Sequence, residues 1–118
     1  LYTDFFLGKV IELLKMNDNK FETALLYVSD HGESLGENGV YLHGLPPAIA
    51  PDAQLHVPAI LWLGSGFKDV DFSALRRKSG TRFTHDNIAH TVLGAMEIGT
   101  SVYRPELDML DGCRKPER

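Results

Sequence analysis

The sequence predicts an α/β fold. Three observations carry that expectation. An amphipathic helical pattern covers residues 1–16, two short apolar runs occupy 24–28 and 57–63, and a second helical segment opens at Thr84. Apolar residues at helical spacing mark amphipathic helices, and short unbroken apolar runs bounded by turn residues mark buried strands.

In the first helix Tyr2, Phe6, Val10, Leu13 and Leu14 recur at helical spacing. Asp4 lies early and Lys9 and Lys15 late, the charge order that favours the helix dipole. Asn17-Asp18-Asn19 supplies turn chemistry at its end. Ala24-Leu25-Leu26-Tyr27-Val28 then reads as a strand covered on both faces of a parallel sheet, the second half of a helix-to-strand crossover.

From Ser29 to Gln54 neither period persists, and glycines and prolines recur. Loops of this length are uncommon in compact domains unless they are functional or disordered. This one holds Asp30, His31, Glu33, Glu37 and His43, a content that points to function. Val57 to Leu63 reads as the second strand, with Pro58 at its start or on an edge because proline cannot donate to a ladder. Gly64-Ser65-Gly66 closes it. Residues 67–81 form a mixed connection without an assigned element. Thr84 is the expected N-cap of the second helix, Ile88, Val92, Ala95 and Met96 its apolar face, and Gly99 its stop. The tail from Thr100 to Arg118 is polar and proline-punctuated, as expected of a surface wrap.

Composition limits the partners. The chain has 118 residues, 43% hydrophobic and 24% charged, with a formal net charge of −4. One compact domain fits that length, and the acidic balance offers no field for nucleic acid. Arg76-Arg77-Lys78 reads as a solvated basic loop. No apolar run approaches the roughly 20 residues that span a bilayer. Leu1 falls inside a helical pattern without Met or entry signal, so the chain is expected to be a piece of a larger protein. The single Cys113 cannot pair within the chain.

Ser29-Asp30-His31-Gly32-Glu33 follows directly on the first strand. Ligands of open α/β sheets bind beyond the carboxyl ends of strands, and carboxylate and neutral imidazole both suit a borderline metal such as zinc. Adjacent strand side chains point to opposite faces. Asp30 and His31 can therefore share an ion only if the backbone turns, which Gly32 would permit. The same triplet also fits an ordinary Asx turn. His43, in a glycine- and proline-rich loop, is a second candidate, with a surface histidine as the alternative. For His56, His85 and His90 a structural or surface role is expected. A catalytic zinc takes three protein ligands and an open position, so Asp30 and His31 leave the site incomplete. No nucleophile stands beside a base.

The stretch from Tyr27 to Pro51, YVSDHGESLGENGVYLHGLPPAIAP, closely resembles the bacterial phosphoethanolamine transferases that modify lipid A and confer colistin resistance. These belong to the alkaline phosphatase and sulfatase superfamily. Residues 1–15, 56–63 and 84–94 extend the resemblance over most of the chain. It implies an alkaline phosphatase/sulfatase-like α/β/α sandwich, of which residues 1–118 are the C-terminal part of the periplasmic catalytic domain. The upstream catalytic half and an N-terminal membrane anchor are then missing, and the parent sits on the periplasmic face of the bacterial inner membrane. Asp30 and His31 match two family zinc (Zn2+) ligands. His43 matches a histidine that faces the substrate phosphate and can bind an additional zinc. The glutamate ligand and threonine nucleophile have no match here. The implied reaction moves phosphoethanolamine from phosphatidylethanolamine, through a covalent phosphothreonine, to lipid A or another lipopolysaccharide acceptor. The added amine lowers outer-membrane negative charge and weakens binding of polycationic peptides such as polymyxin. Two alternatives stay open at this point: another superfamily enzyme, such as a sulfatase or phosphoglycerol transferase, and a non-catalytic module. The fragment alone is expected to be inactive.

Overall fold

A computed structural model describes residues 1–115. They form two units, divided between Gly66 and Phe67.

The first unit opens with α1, Tyr2–Asn17, with Asp4 in its first turn and Lys15 in its last. The side chains it covers are Leu7, Val10, Ile11 and Leu14, at the i, i+3, i+4, i+7 spacing of one helix face. Leu7 is the buried centre of that face, while Tyr2, Phe6 and Leu13 of the expected face are exposed. Many apolar residues around the helix left the choice of face open.

The two strands are present but pair differently from expectation. β1, Ala24–Val28, runs antiparallel to β4, Ala59–Leu63, in a register that sets Ala24 opposite Leu63 and Val28 opposite Ala59. An apolar run reads the same in either orientation, and the preceding helix does not determine which strand becomes its neighbour. Neither strand is buried throughout. β4 begins immediately after Pro58, as the missing donor requires.

Antiparallel pairing has a consequence for the site. The chain leaves the sheet at Val28 and re-enters at Ala59, so residues 29–58 lie off one end of the strand pair. They are more structured than their sequence suggests. β2, Ser34–Leu35, pairs with β3, Tyr41–Leu42, across a 3-10 turn at Glu37–Gly39. The four-residue helix α2, Asp52–Leu55, follows. Strands of two residues are too short to show a period.

Asp18 locks the opposite end of the sheet. Its carboxylate accepts hydrogen bonds from the Thr23 hydroxyl (2.7 Å), the Ser65 N–H (2.8 Å) and the Ser65 hydroxyl (2.6 Å). The Ser65 hydroxyl, then Thr23 and the Ser65 N–H, hold its carboxyl below the ordinary aspartate range.

In the second unit the connection after Phe67 contains α3, Phe72–Arg77. Asp71 caps it, accepting from the N–H groups of Ser73 (2.9 Å) and Ala74 (3.2 Å). Arg76 and Arg77 close it, so part of the expected basic loop is a helix end. Lys78 donates to the carbonyls of Asp111 and Met109.

α4 spans Asp86–Ala95. Its covered face is centred on Asn87 and Thr91, whereas Val92 and Met96 are exposed. Both polar residues are buried because each has partners. Asn87 donates to the Leu107 carbonyl (2.8 Å), and the Thr91 hydroxyl donates to the Asn87 carbonyl (2.8 Å) and accepts from the Met109 N–H (3.0 Å). Thr84 stands at the helix entry, but there its N–H donates to the Asn87 side chain (2.8 Å). The helix stops before Gly99. Glu97 adopts φ 54°, and the bonds Glu97 N–H to Gly94 and Ile98 N–H to Leu93 complete a Schellman motif.

The segment after Thr100 is not a surface wrap. Met109, Leu110 and Cys113 are buried with Phe67 and Val70 and make the core of this unit. Asp108, also buried, accepts from the Leu110 N–H and the Tyr103 hydroxyl, each at 2.8 Å. Cys113 is a buried free thiol. The last part of the expected wrap, 116–118, lies outside the described residues.

Candidate metal centre

The site is built where β1 ends. The Ser29 hydroxyl donates to the His31 carbonyl (2.8 Å), and the His31 N–H donates to Asp30 Oδ1 (3.1 Å). These two bonds bend the backbone as soon as the strand stops. The turn puts Asp30 Oδ2 3.7 Å from His31 Nε2. Donors that share a tetrahedral zinc at about 2.0–2.1 Å each stand roughly 3.3 Å apart, so the pair needs only a small adjustment to grip one ion.

His31 Nδ1 lies 2.9 Å from the Gly32 carbonyl. A carbonyl only accepts, so Nδ1 carries the proton and Nε2 keeps its lone pair. A backbone acceptor behind a histidine is the usual arrangement for a metal ligand.

Gly32 serves this turn in a way the sequence did not indicate. Its φ is not left-handed. A Cβ at this position would fall 2.0 Å from the Ala53 carbonyl oxygen, so glycine is required by the close approach of α2.

His43 arrives from the other side of the hairpin. Leu42 takes a left-handed backbone, φ 66°, immediately before it. Such backbone strain in a bulky residue concentrates at functional sites. The His43 ring stacks on His31, with centroids 3.9 Å apart and planes inclined by 27°. His43 Nδ1 lies 3.0 Å from Glu33 Oε2. A carboxylate accepts, so the His43 Nδ1 carries a proton and its Nε2 is the free ring atom.

The sequence candidates Asp30, His31 and His43 are therefore brought together, and Glu33 joins them. His31, Glu33 and His43 each offer one ligand atom, all within 4.8 Å of one another. All three are exposed, and Asp30 flanks the group, its side chain 88% exposed. Two nitrogens and carboxylate oxygens are a donor set that suits zinc. Glu33 was visible in the sequence only as one acidic residue among several. Its spacing of two from His31 has no meaning until the turn is known. Glu37 is not part of the group, because its carboxylate accepts the Leu35 N–H (2.8 Å) inside the hairpin. His90 is structural, accepting the Arg104 N–H (3.1 Å) in the second unit. His56 and His85 flank α2 and α4 and stand outside the cluster.

Residues 1–98 match the sulfatase family. This chain belongs to that family. Within it, the sulfatase-family chain is 47% identical over 98% of its length to the phosphoethanolamine transferase EptA of Salmonella typhimurium. It spans 22% of that relative's length. Its fold matches the integral membrane lipooligosaccharide phosphoethanolamine transferase A of Neisseria meningitidis at TM-score 0.91 and 45% identity, covering 98% of this chain and 22% of that one. It also matches the C-terminal periplasmic domain of the phosphoethanolamine transferase EptC of Campylobacter jejuni at TM-score 0.85 and 45% identity, covering 100% of this chain and 37% of that one. The expected α/β, sulfatase-like fold class is thereby borne out. Among the described residues no helix is long and apolar enough to cross a membrane.

Proposed function

We propose that residues 1–118 are the C-terminal part of the catalytic domain of a zinc-dependent phosphoethanolamine transferase. The observation that carries this reading is the convergence of Asp30, His31, Glu33 and His43 at the end of β1. In this reading Asp30 and His31 Nε2 hold the zinc, with Glu33 and His43 beside them. When bound, the ion supplies Lewis acidity to oxygens on phosphorus and to the nucleophile.

The chain's own residues do the remaining work. The Gly32 carbonyl fixes the His31 tautomer and so aims a lone pair outward. His43 meets the phosphoryl group through Nε2 while Glu33 holds Nδ1. Once Nε2 is protonated as well, His43 is an imidazolium that Glu33 stabilises, and it gives the Nε2 proton to the leaving oxygen.

The donor is phosphatidylethanolamine. Its phosphorus–oxygen bond to diacylglycerol breaks as a bond to a threonine oxygen forms. An oxygen of lipid A or another lipopolysaccharide then displaces the threonine. This chain has no residue that matches the family threonine or its glutamate partner, so both come from outside it. The similarity to an integral membrane transferase and to a periplasmic transferase domain supports a parent anchored in the inner membrane and working on its periplasmic face. Modified lipid A would confer polymyxin resistance.

The test is His43→Ala in a full-length transferase that carries this segment. Transfer should fall by about 10²-fold or more while the zinc held by Asp30 and His31 is retained. Wild-type turnover in that variant removes His43 from the mechanism.

A further inference from the structure

The cluster is held by very little regular structure. β2 and β3 pair over two residues each, too short a ladder to fix a hairpin in water. His31, Glu33 and His43 are nevertheless assembled from two segments ten to twelve residues apart. Something other than the hairpin must set their spacing.

Gln54 is the residue placed to do so. It sits in α2 and is only 6% exposed, in a unit where few side chains are buried. Its backbone carbonyl accepts the Gly32 N–H at 3.0 Å. Its side-chain Nε2 donates to the Ser34 hydroxyl at 2.9 Å, and Ser34 is 1% exposed. Its Oε1 accepts the Leu45 N–H in a longer bond of 3.4 Å. Gly32 and Ser34 bracket Glu33 and follow His31. Leu45 lies two residues after His43. One residue thus holds both segments, through its backbone carbonyl and both ends of its side-chain amide.

We infer that Gln54 is the positioning residue of the metal centre, its amide fixing the segment of His31 and Glu33 against the segment of His43. An amide is suited to this because one end donates and the other accepts. A methionine of similar volume fills the space but makes neither bond. The absent Cβ at Gly32 belongs to the same device, since it lets α2 approach closely enough for the Gln54 carbonyl to reach the Gly32 N–H.

This inference rests on reading the cluster as the working site, so the experiment separates the two. The 118-residue chain is compared with Gln54→Met, Gln54→Glu and Ser34→Ala by NMR without metal, then by zinc titration. The wild type should show cross-peaks between the His31 and His43 rings, as their stacking requires. In Gln54→Met these should vanish while the β1–β4 cross-strand peaks persist, and zinc affinity should drop about tenfold to 100-fold. Gln54→Glu keeps the acceptor for Leu45 and can accept from Ser34, so it should retain part of both signals. Should Gln54→Met lose the β1–β4 peaks as well, Ser34→Ala decides, since it removes one arm only and should weaken the ring cross-peaks in a folded chain. Ring cross-peaks of wild-type strength in folded Gln54→Met, or in Ser34→Ala in that case, overturn the inference, and so does their absence from the wild type. If a full-length transferase that carries this segment holds no more zinc than its His31→Ala variant, the metal reading fails, while the ring cross-peaks of the chain still decide the role of Gln54.

Discussion

At the scale of single residues, the informative groups are those whose hydrogen bonds leave one chemical choice. Asp18 accepts three bonds as a carboxylate, and those bonds lower its pKa. A group whose folded pKa is depressed stabilises the fold above its unfolded pKa, ordinarily 3.8, and loses that contribution as pH falls through the folded value. Asp18→Asn should therefore flatten the acid limb of a stability-against-pH curve, measured by urea unfolding. An unchanged limb would mean that the bonds around Ser65 do not form in solution. Tyr103 tests the opposite limb. Burial, and then the Asp108 carboxylate, push its hydroxyl from 10.0 up to about 12. A raised folded pKa gives stability that is complete below 10.0 and is lost as pH climbs toward 12. Tyr103→Phe should abolish that alkaline loss, and it should also lower neutral-pH stability by about 1–3 kcal/mol, because a buried Asp108 oxygen loses its donor.

At the scale of elements, the helix termini carry the clearest predictions. Just past the end of α4, Glu97 stands at φ 54°, a position where glycine is ordinarily found. Glu97→Gly should stabilise the second unit by about 0.5–1 kcal/mol, since removing the Cβ relieves the left-handed strain. A loss of stability would instead assign weight to the ion pair between Glu97 and Arg114. At α3, Asp71→Ala should lower the melting temperature by removing the two N-terminal acceptor bonds. These elements also show what was legible. Both long helices and both five-residue strands could be read from periodicity and composition. The covered faces could not. α4 turns Asn87 and Thr91 inward because their partners, the Leu107 carbonyl and the Met109 N–H, come from a distant segment. No local pattern reports such a partner. α3 was missed although Asp71 before Phe72-Ser73-Ala74 is a readable cap, because six residues are too few for a helical period to emerge.

At the scale of the molecule, Asp30 and His31 could be picked out because they are adjacent and follow a strand. His43 was legible from its unusual loop. Glu33, Gln54 and the reason for Gly32 depended on how α2 returns against the turn, which is tertiary information. The same limit applies to strand direction, which depends on where the chain re-enters the sheet. The tail misled for a related reason, since its polar residues conceal Met109, Leu110 and Cys113, which fill the second core. Under the proposed function the threonine nucleophile and the glutamate ligand lie outside the 118 residues, so the chain taken alone should show no detectable transfer of phosphoethanolamine. Robust transfer in an assay with purified chain would contradict that. Zinc titration of isotope-labelled chain, following the ring nitrogens of all five histidines and the side-chain carboxylate carbons, tests whether Asp30 and His31 grip one ion. With the ion held by Asp30 and His31, the His31 Nε2 resonance moves while its Nδ1 proton is retained, and the Asp30 carboxylate carbon shifts in step. An ion that leaves His31 and Asp30 undisturbed and moves His56, His85 or His90 instead would contradict it.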